Sequence, residues 1–260
     1  MKSKSMSIIG SGNVASHLAN AFFHQDFEII SVYARSLDKL AFCDQLSIEK
    51  NVLDYSVPIE GDVIFLCVSD DSIKTVASNI KIDAHQIVVH CSGGVNLDVL
   101  REINSQCGVF YPLQSFSKNT FVNIKSVPIC VEGNTREIEN ELAKIANAVS
   151  NRVVSLNSYD RAKLHLAAVM VNNYVNFLIG KVQEYSTKEN LDFTLLEPLI
   201  NETILKALSG DALKKQTGPA KRGDVDVLSQ ELKMLSGYPE LQKIADVFNQ
   251  EILHYYEMDR

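Results

Sequence analysis

The sequence predicts an α/β fold with a doubly wound, mostly parallel sheet, followed by an all-helical C-terminal domain. Three observations carry this. Short β-branched runs alternate with amphipathic helical patterns up to about residue 156, several of those runs are apolar without a break, and after Leu156 the strand signals stop. Alternating strand and helix implies parallel pairing through crossovers. An unbroken run such as Val63-Ile64-Phe65-Leu66-Cys67-Val68 suits a strand covered on both faces.

Strands are expected at 6–9, 28–34, 63–68, 86–90, 109–111, 128–131 and 152–156. Amphipathic helices separate them: Val14, Leu18, Ala21 and Phe22 share one face of the first, and Ile138, Leu142, Ile145 and Val149 share a face of another. From 158 to about 186 the pattern is one long helix, capped by Asn157 or Ser158. Its centre, Leu166-Ala167-Ala168-Val169-Met170-Val171, is apolar nearly all round and so is expected to be buried. Further helices are expected at 198–208, 226–235 and 239–257, with Pro198 and Pro239 in first-turn positions where a missing N–H costs nothing.

The chain has 260 residues, 46% apolar and 22% charged, with 25 Lys and Arg against 32 Asp and Glu. That is an ordinary globular composition, long enough for one large or two smaller domains. A net charge of −7 disfavours nucleic-acid binding, and no apolar run approaches the ~18 residues of a membrane span. The cysteines, Cys43, Cys67, Cys91, Cys107 and Cys130, are odd in number and form no C-x-x-C. Neither a disulfide framework nor a metal site is expected, and a reducing cytoplasm is the default. Lys2 and Lys4 precede a segment broken by Gly10, Gly12 and Asn13, which does not resemble a signal peptide.

The first strand ends in Gly10-Ser11-Gly12-Asn13-Val14-Ala15 and a helix begins at once. This is the G-x-G-x-x-G/A dinucleotide fingerprint in its Ala form. The first Gly permits a tight turn, the second lets backbone approach a pyrophosphate, and the small Ala15 allows close helix–strand packing. The helix N-terminus offers N–H groups and a positive dipole end to phosphate. An acid at the end of the second strand would hold the ribose 2′-OH of NAD. Here Val32-Tyr33-Ala34-Arg35-Ser36 has none, and Lys39 follows. A guanidinium with a neighbouring hydroxyl suits a 2′-phosphate, so NADP is the expected cofactor.

Ligands of an open α/β sheet lie beyond the carboxyl ends of its strands. Val68, Ser69, Ser92 and Gly93 are therefore candidate cofactor contacts, with Asp70 or Asp71 capping the next helix and His90 a buried histidine. The stretch from Phe110 to Phe116 lines the same cleft. The long helix is the natural opposite wall. At ~100° per residue, Arg161, Ala168 and Asn172 fall within about 20° of one another, with His165 about 40° away. His165 is the candidate proton donor, because imidazole changes charge near neutral pH. Asn172, or Asn173 beside it, is the candidate for holding the substrate's polar atom. Thr217-Gly218-Pro219-Ala220-Lys221-Arg222-Gly223-Asp224 reads as a loop.

Together, the phosphate loop, the Ala34-Arg35-Ser36 turn, His90-Cys91-Ser92-Gly93, Pro112-Leu113-Gln114-Ser115-Phe116 and Gly218-Pro219-Ala220-Lys221-Arg222-Gly223-Asp224 resemble one group. It comprises NADP oxidoreductases with a Rossmann-like N-terminal domain and a helical C-terminal domain of unknown function. These are similar to deazaflavin-dependent NADP oxidoreductases and, more distantly, to pyrroline-5-carboxylate reductase and the β-hydroxyacid dehydrogenases. The resemblance covers nearly the whole chain. It implies a dinucleotide-binding domain over 1–157, a helical substrate and dimerisation domain over 158–260, and a homodimer. It also implies hydride transfer between NADP(H) and a small carbonyl or imine compound. A non-enzymatic NADP-binding sensor, or exchange with a reduced deazaflavin, are the alternatives. Two departures matter. Tyr111 stands where the group has His, and Lys163 is followed at four residues by Ala167 rather than the Asn of the dehydrogenases.

Overall fold

The structure, a computed structural model, describes residues 4–117, 120 and 122–258. The chain divides into two compact units, Met1–Asn172 and Asn173–Arg260.

The first unit is a Rossmann-like α/β fold. Its strands are β1 (Met6–Ile9), β2 (Ile29–Ala34), β3 (Lys50–Val52), β4 (Val63–Leu66), β5 (Ile87–His90), β6 (Cys107–Pro112), β7 (Ile129–Gly133) and β8 (Val153–Ser155). They form one sheet in the order β3-β2-β1-β4-β5-β6-β7-β8. All neighbours are parallel except β6 and β7. The helices are α1 (Asn13–Phe23), α2 (Ala41–Leu46), α3 (Asp70–Asn79), α4 (Asp98–Arg101) and α5 (Arg136–Val149). Every residue of β1 and β4 is buried, as the unbroken apolar run of β4 requires; β1 buries the polar Ser7 along with Met6, Ile8 and Ile9. One core cluster joins Met6, Ile8 and Phe65 to Leu18 and Phe22 of α1 and Leu142 of α5. The second joins Ile9, Ile64 and Leu66 to Ile73 and Val76 of α3. The chain thus leaves β1 toward one face and β4 toward the other. A crevice opens at the carboxyl ends of this pair, the switch point of the sheet.

The expected long helix is α6 (Ser158–Ala168), a π-helical turn (Val169–Tyr174) and α7 (Val175–Lys188) in unbroken succession. Asn157 is its cap, its side chain accepting from the Asp160 N–H. Burial of its apolar centre is not observed: Leu166 is 55%, Met170 52% and Val171 74% exposed. An all-round apolar pattern marks a face that gains by being covered, and among the described residues this one is left exposed.

The second unit comprises α7, α8 (Glu197–Leu208), α9 (Pro219–Arg222), α10 (Val225–Met234) and α11 (Pro239–Glu257). Lys181 of α7 bridges Glu184 and Glu240, each at 2.7 Å, tying α7 to α11. The expected 217–224 loop contains the helical turn α9, flanked by Gly218 (φ 108°) and Gly223 (φ 78°). Pro219 starts that turn, and a left-handed Gly223 stops it. Among the described residues no helix is long and apolar enough to cross a membrane.

Candidate active site

The loop between β1 and α1 is shaped by two glycines with different constraints. Gly10 has φ 141°, and a Cβ there would lie 2.1 Å from the Cys67 carbonyl oxygen. Only glycine lets β1 and the end of β4 approach this closely. Gly12, the N-cap of α1, has φ −83° and faces open space, with no atom within 4 Å of a Cβ position. The first turn of α1 carries no acid and its N-cap no side-chain bond. Its orphan N–H groups and dipole are left for an anion. An open cradle over uncompensated N–H groups fits a dinucleotide pyrophosphate.

Two adjoining cavities extend from this loop and share Gly12, Cys67, Val68 and Ser69. One, of about 400 Å³, is lined by Gly10, Ser11, Arg35, Tyr33 and Tyr55 among others. The other, of about 360 Å³, is lined by Asn13, Val14, Asp70, Cys91, Ser92, Gln114 and Phe116 as well. Arg35 is exposed and, among the described residues, has no ion-pair partner. The Ser36 hydroxyl donates to the Asp38 carboxylate, and Ser36 lies outside both linings. Asn13 donates through Nδ2 to the Phe116 carbonyl at 2.7 Å. His17 stacks on the Phe116 ring at 4.6 Å. Both hold the segment after β6 against the N-terminal half of α1. The cap of α3 is Ser69, with Asp70 and Asp71 in its first turn.

At the end of β5 the chain makes a compact turn. The Ser92 hydroxyl oxygen accepts from the N–H groups of Gly94 and Val95, each at 3.1 Å, and the Ser92 N–H donates to His90 Nδ1 at 3.2 Å. His90 is fully buried. Burial, helped by the nearby Arg161 guanidinium, presses its pKa down to about 3, so the ring is neutral. Gly93 lies outside both cavity linings. It is the floor for a pair of side chains. A Cβ on Gly93 would lie 2.6 Å from Tyr111 Cζ and 2.7 Å from His165 Nδ1. The Tyr111 hydroxyl and His165 Nδ1 are 3.0 Å apart, with their rings edge to face. Burial in first place, then the charges of Cys130 and Asp70, outweighs Arg161 and raises the Tyr111 phenol to about 12. It remains protonated at neutral pH and can give or share a hydrogen bond.

Arg161 fixes the helix that carries His165. It is 1% exposed and pairs with Glu132 of β7. Its guanidinium also donates to the Val95 carbonyl and, at 3.3 Å, to the Ser158 hydroxyl. Ser158 in turn donates to Glu132 at 2.8 Å and accepts from the Leu97 N–H at 3.0 Å. Arg161 therefore belongs to a buried anchor and not to a stripe facing the cleft. Asn172 lies exposed in the π-helical turn. Hydrogen bonds from i to i+5 change the rotation per residue there, so the ideal α phase that aligned Asn172 with Arg161 does not hold. Sequence reasoning missed Tyr111 as the partner of His165, the Glu132–Arg161 pair and Asp70 as a cavity wall. The signals available were a lone acid ending an apolar strand and a lone arginine at the start of an apolar helix.

Residues 5–94 match the family described as NADP oxidoreductase, coenzyme F420-dependent. Residues 127–252 match the domain of unknown function DUF2520. No curated protein matches the chain. Among solved structures, a protein assigned as an NADP oxidoreductase from Bacteroides fragilis is 30% identical, with a TM-score of 0.90 over 97% of this chain and 98% of that one. An imine reductase from Myxococcus stipitatus in complex with NADP+ is 14% identical, with a TM-score of 0.69 over 98% and 94%. The 1-pyrroline-5-carboxylate reductase of Streptococcus pyogenes is 15% identical, with a TM-score of 0.63 over 98% and 100%. The last two share the fold.

Proposed function

Because this chain belongs to the NADP oxidoreductase family that joins a coenzyme F420-dependent-type N-terminal domain to DUF2520, we propose that it catalyses hydride exchange between NADP(H) and a small carbonyl or imine compound. One observation carries the proposal: His165 and Tyr111 meet over Gly93, beside a cavity that begins at the open cradle of Gly12.

In this reading Gly10, Ser11, Gly12, Asn13 and Val14 hold the pyrophosphate, and Arg35 with Ser36 receives the 2′-phosphate. Val68, Ser69, Ser92 and Gly93 border the nicotinamide half. The bound cofactor supplies or accepts the hydride. The protein moves the accompanying proton through His165, whose Nδ1 is held by the Tyr111 phenol, and Asn172 orients the substrate. Residues 1–157 bind the dinucleotide, and 158–260 provide substrate contacts and a homodimer interface. The exposed Leu166, Met170 and Val171 support the interface. Five buried free thiols suit a reducing cytoplasm. The F420-dependent description of the N-terminal match favours one second reading, with a reduced deazaflavin as hydride partner.

The test is NADPH oxidation across a panel of small ketones, aldehydes and cyclic imines, repeated with reduced deazaflavin and NADP+. His165→Asn and Tyr111→Phe should each lower kcat by about 10²–10⁴, the range of general acid catalysis, while leaving thermal stabilisation by NADPH intact. NADPH binding with no turnover on any substrate would make the protein a sensor instead.

A further inference from the structure

We propose that Asp70 makes the reaction site selective for a group carrying positive charge on nitrogen, such as a protonated imine or the ammonium form of an amine. The proposal rests on the reading that the adjoining cavities take NADP(H). Asp70 is the one charged side chain among the described residues lining the 360 Å³ cavity. Its neighbour Asp71 lines the other cavity, on the Arg35 side. Among the described residues the Asp70 carboxylate has neither an ion-pair nor a hydrogen-bond partner, although it borders the cavity wall. A first-turn acid is favoured by the helix dipole, and that accounts for either aspartate. It does not account for where the Asp70 side chain goes.

The carboxylate turns toward the β5 turn. Asp70 Oδ2 lies 3.9 Å from the point above Gly94 that a Cβ would occupy, and His165 Cδ2 lies 3.7 Å from the same point. Carboxylate and imidazole thus both lie within 4 Å of one point above Gly94, and the Tyr111 hydroxyl is 3.0 Å from the imidazole Nδ1. No lysine or arginine among the described residues lines this cavity to offset the negative charge. Asp70 and Gly94 are exposed, so a ligand reaches the carboxylate directly. A carboxylate-bearing group brought here meets like charge, whereas a cation meets an unpaired acceptor. The same carboxylate favours the protonated form of a bound imine, because an opposite charge nearby stabilises the charged state. The single proton the reduction needs reaches the imine nitrogen from solvent or through His165 and Tyr111, which solvent re-protonates. The hydride that bound NADPH would supply then adds to the iminium carbon and leaves the neutral amine.

Binding to the NADP+-loaded protein tests this without turnover. Calorimetric titrations would compare pyrrolidinium and benzylammonium chlorides with cyclopentanol and benzyl alcohol, which match them in shape. The ammonium ions should bind about tenfold or more tightly than the alcohols, as a charge-assisted bond does relative to a neutral one. The preference should vanish in Asp70→Asn and return in part in Asp70→Glu. NADP+ should stabilise all three proteins equally, which also shows that the variants fold. Equal binding of ammonium and alcohol to the wild type, or a preference that persists in Asp70→Asn, overturns the proposal. So does loss of NADP+ affinity in Asp70→Asn, which would assign the carboxylate to the cofactor. If NADP+ and NADPH both fail to stabilise the wild type, the cofactor reading falls first and takes this proposal with it.

Discussion

The Tyr111 hydroxyl sits 3.0 Å from Nδ1 of His165, joining the end of β6 to the last turn of α6 across the turn that follows β5. Each ring occupies space that any side chain at position 93 would claim. The pair is therefore held by three separate chain segments, and the smallest residue among them sets its position.

Gly93→Ala should disturb this pair more than it disturbs the fold. A methyl group would meet two rings at under 3 Å, so one must move, at ~1–3 kcal/mol for an overpacked site. Urea denaturation should report that loss. Turnover should fall by more than stability alone explains, because a displacement of ~1 Å at reacting groups can cost about 10²-fold.

Gly10 and Gly12 should separate folding from binding. Gly12→Ala adds a methyl to open space at an ordinary φ, so the melting temperature of the free protein should hardly change while NADPH binding weakens. Gly10→Ala meets the Cys67 carbonyl at a left-handed φ and should destabilise the free protein by at least ~2 kcal/mol. Thermal melts of both variants with and without NADPH distinguish the two effects.

Arg35 should set the choice of dinucleotide. At a ligand concentration ~100 times Kd, binding adds ~2.7 kcal/mol of stability. NADPH should raise the melting temperature of the wild type well above the rise with NADH. Arg35→Ala should bring the two together, mainly by weakening NADPH. Equal protection of the wild type by both would remove the role given to this guanidinium.

The Glu132–Arg161 pair should be costly to break and cheap to replace. Arg161→Met alone leaves the Glu132 carboxylate buried and uncompensated, a loss of ~3–5 kcal/mol. Adding Glu132→Leu should recover most of it in urea denaturation. Turnover should stay depressed in the double variant if the pair's other task is to hold the His165 helix in register.

His90 should make the protein acid-sensitive in a defined window. In the folded state its pKa is about 3, and its reference value is 6.5. Between those limits the unfolded chain binds a proton that the folded chain refuses. Stability is full above 6.5 and falls as the pH drops, at up to ~1.4 kcal/mol per pH unit for this one group. His90→Gln should flatten that slope between pH 6.5 and 4 in urea denaturation.

The legible parts of the fold were those where burial leaves a periodic mark. The start of β4 was evident because both of its faces are apolar, β1 because it is apolar but for Ser7, and the helix starting at Pro239 because proline marks a first turn. β3 was not, being three residues long, with a lysine and an asparagine, at the sheet edge. Nothing local announces that β6 and β7 run antiparallel, since they are joined by a long segment and not by a hairpin turn. The π-helical turn slips the phase inside an already apolar helix and leaves no compositional trace. At the candidate site, His165 and Gly93 could be singled out by residue type and place. Their contact with Tyr111 depends on long-range packing, as does the bond between Glu132 and Arg161, which are 29 positions apart.

The buried cysteines give the molecule a practical use. All five are free and buried, Cys67 and Cys91 at the cavity walls, and burial raises the thiol pKa of Cys43 and Cys107 to about 11 and that of Cys130 as well. Thiolate is the species that reacts with maleimides and other alkylating dyes, so the native protein should label slowly. One cysteine introduced at Val171, on the face proposed as the dimer interface, would then report on that face without removal of any natural cysteine: fast labelling marks it uncovered, and slow labelling marks it covered by a second copy.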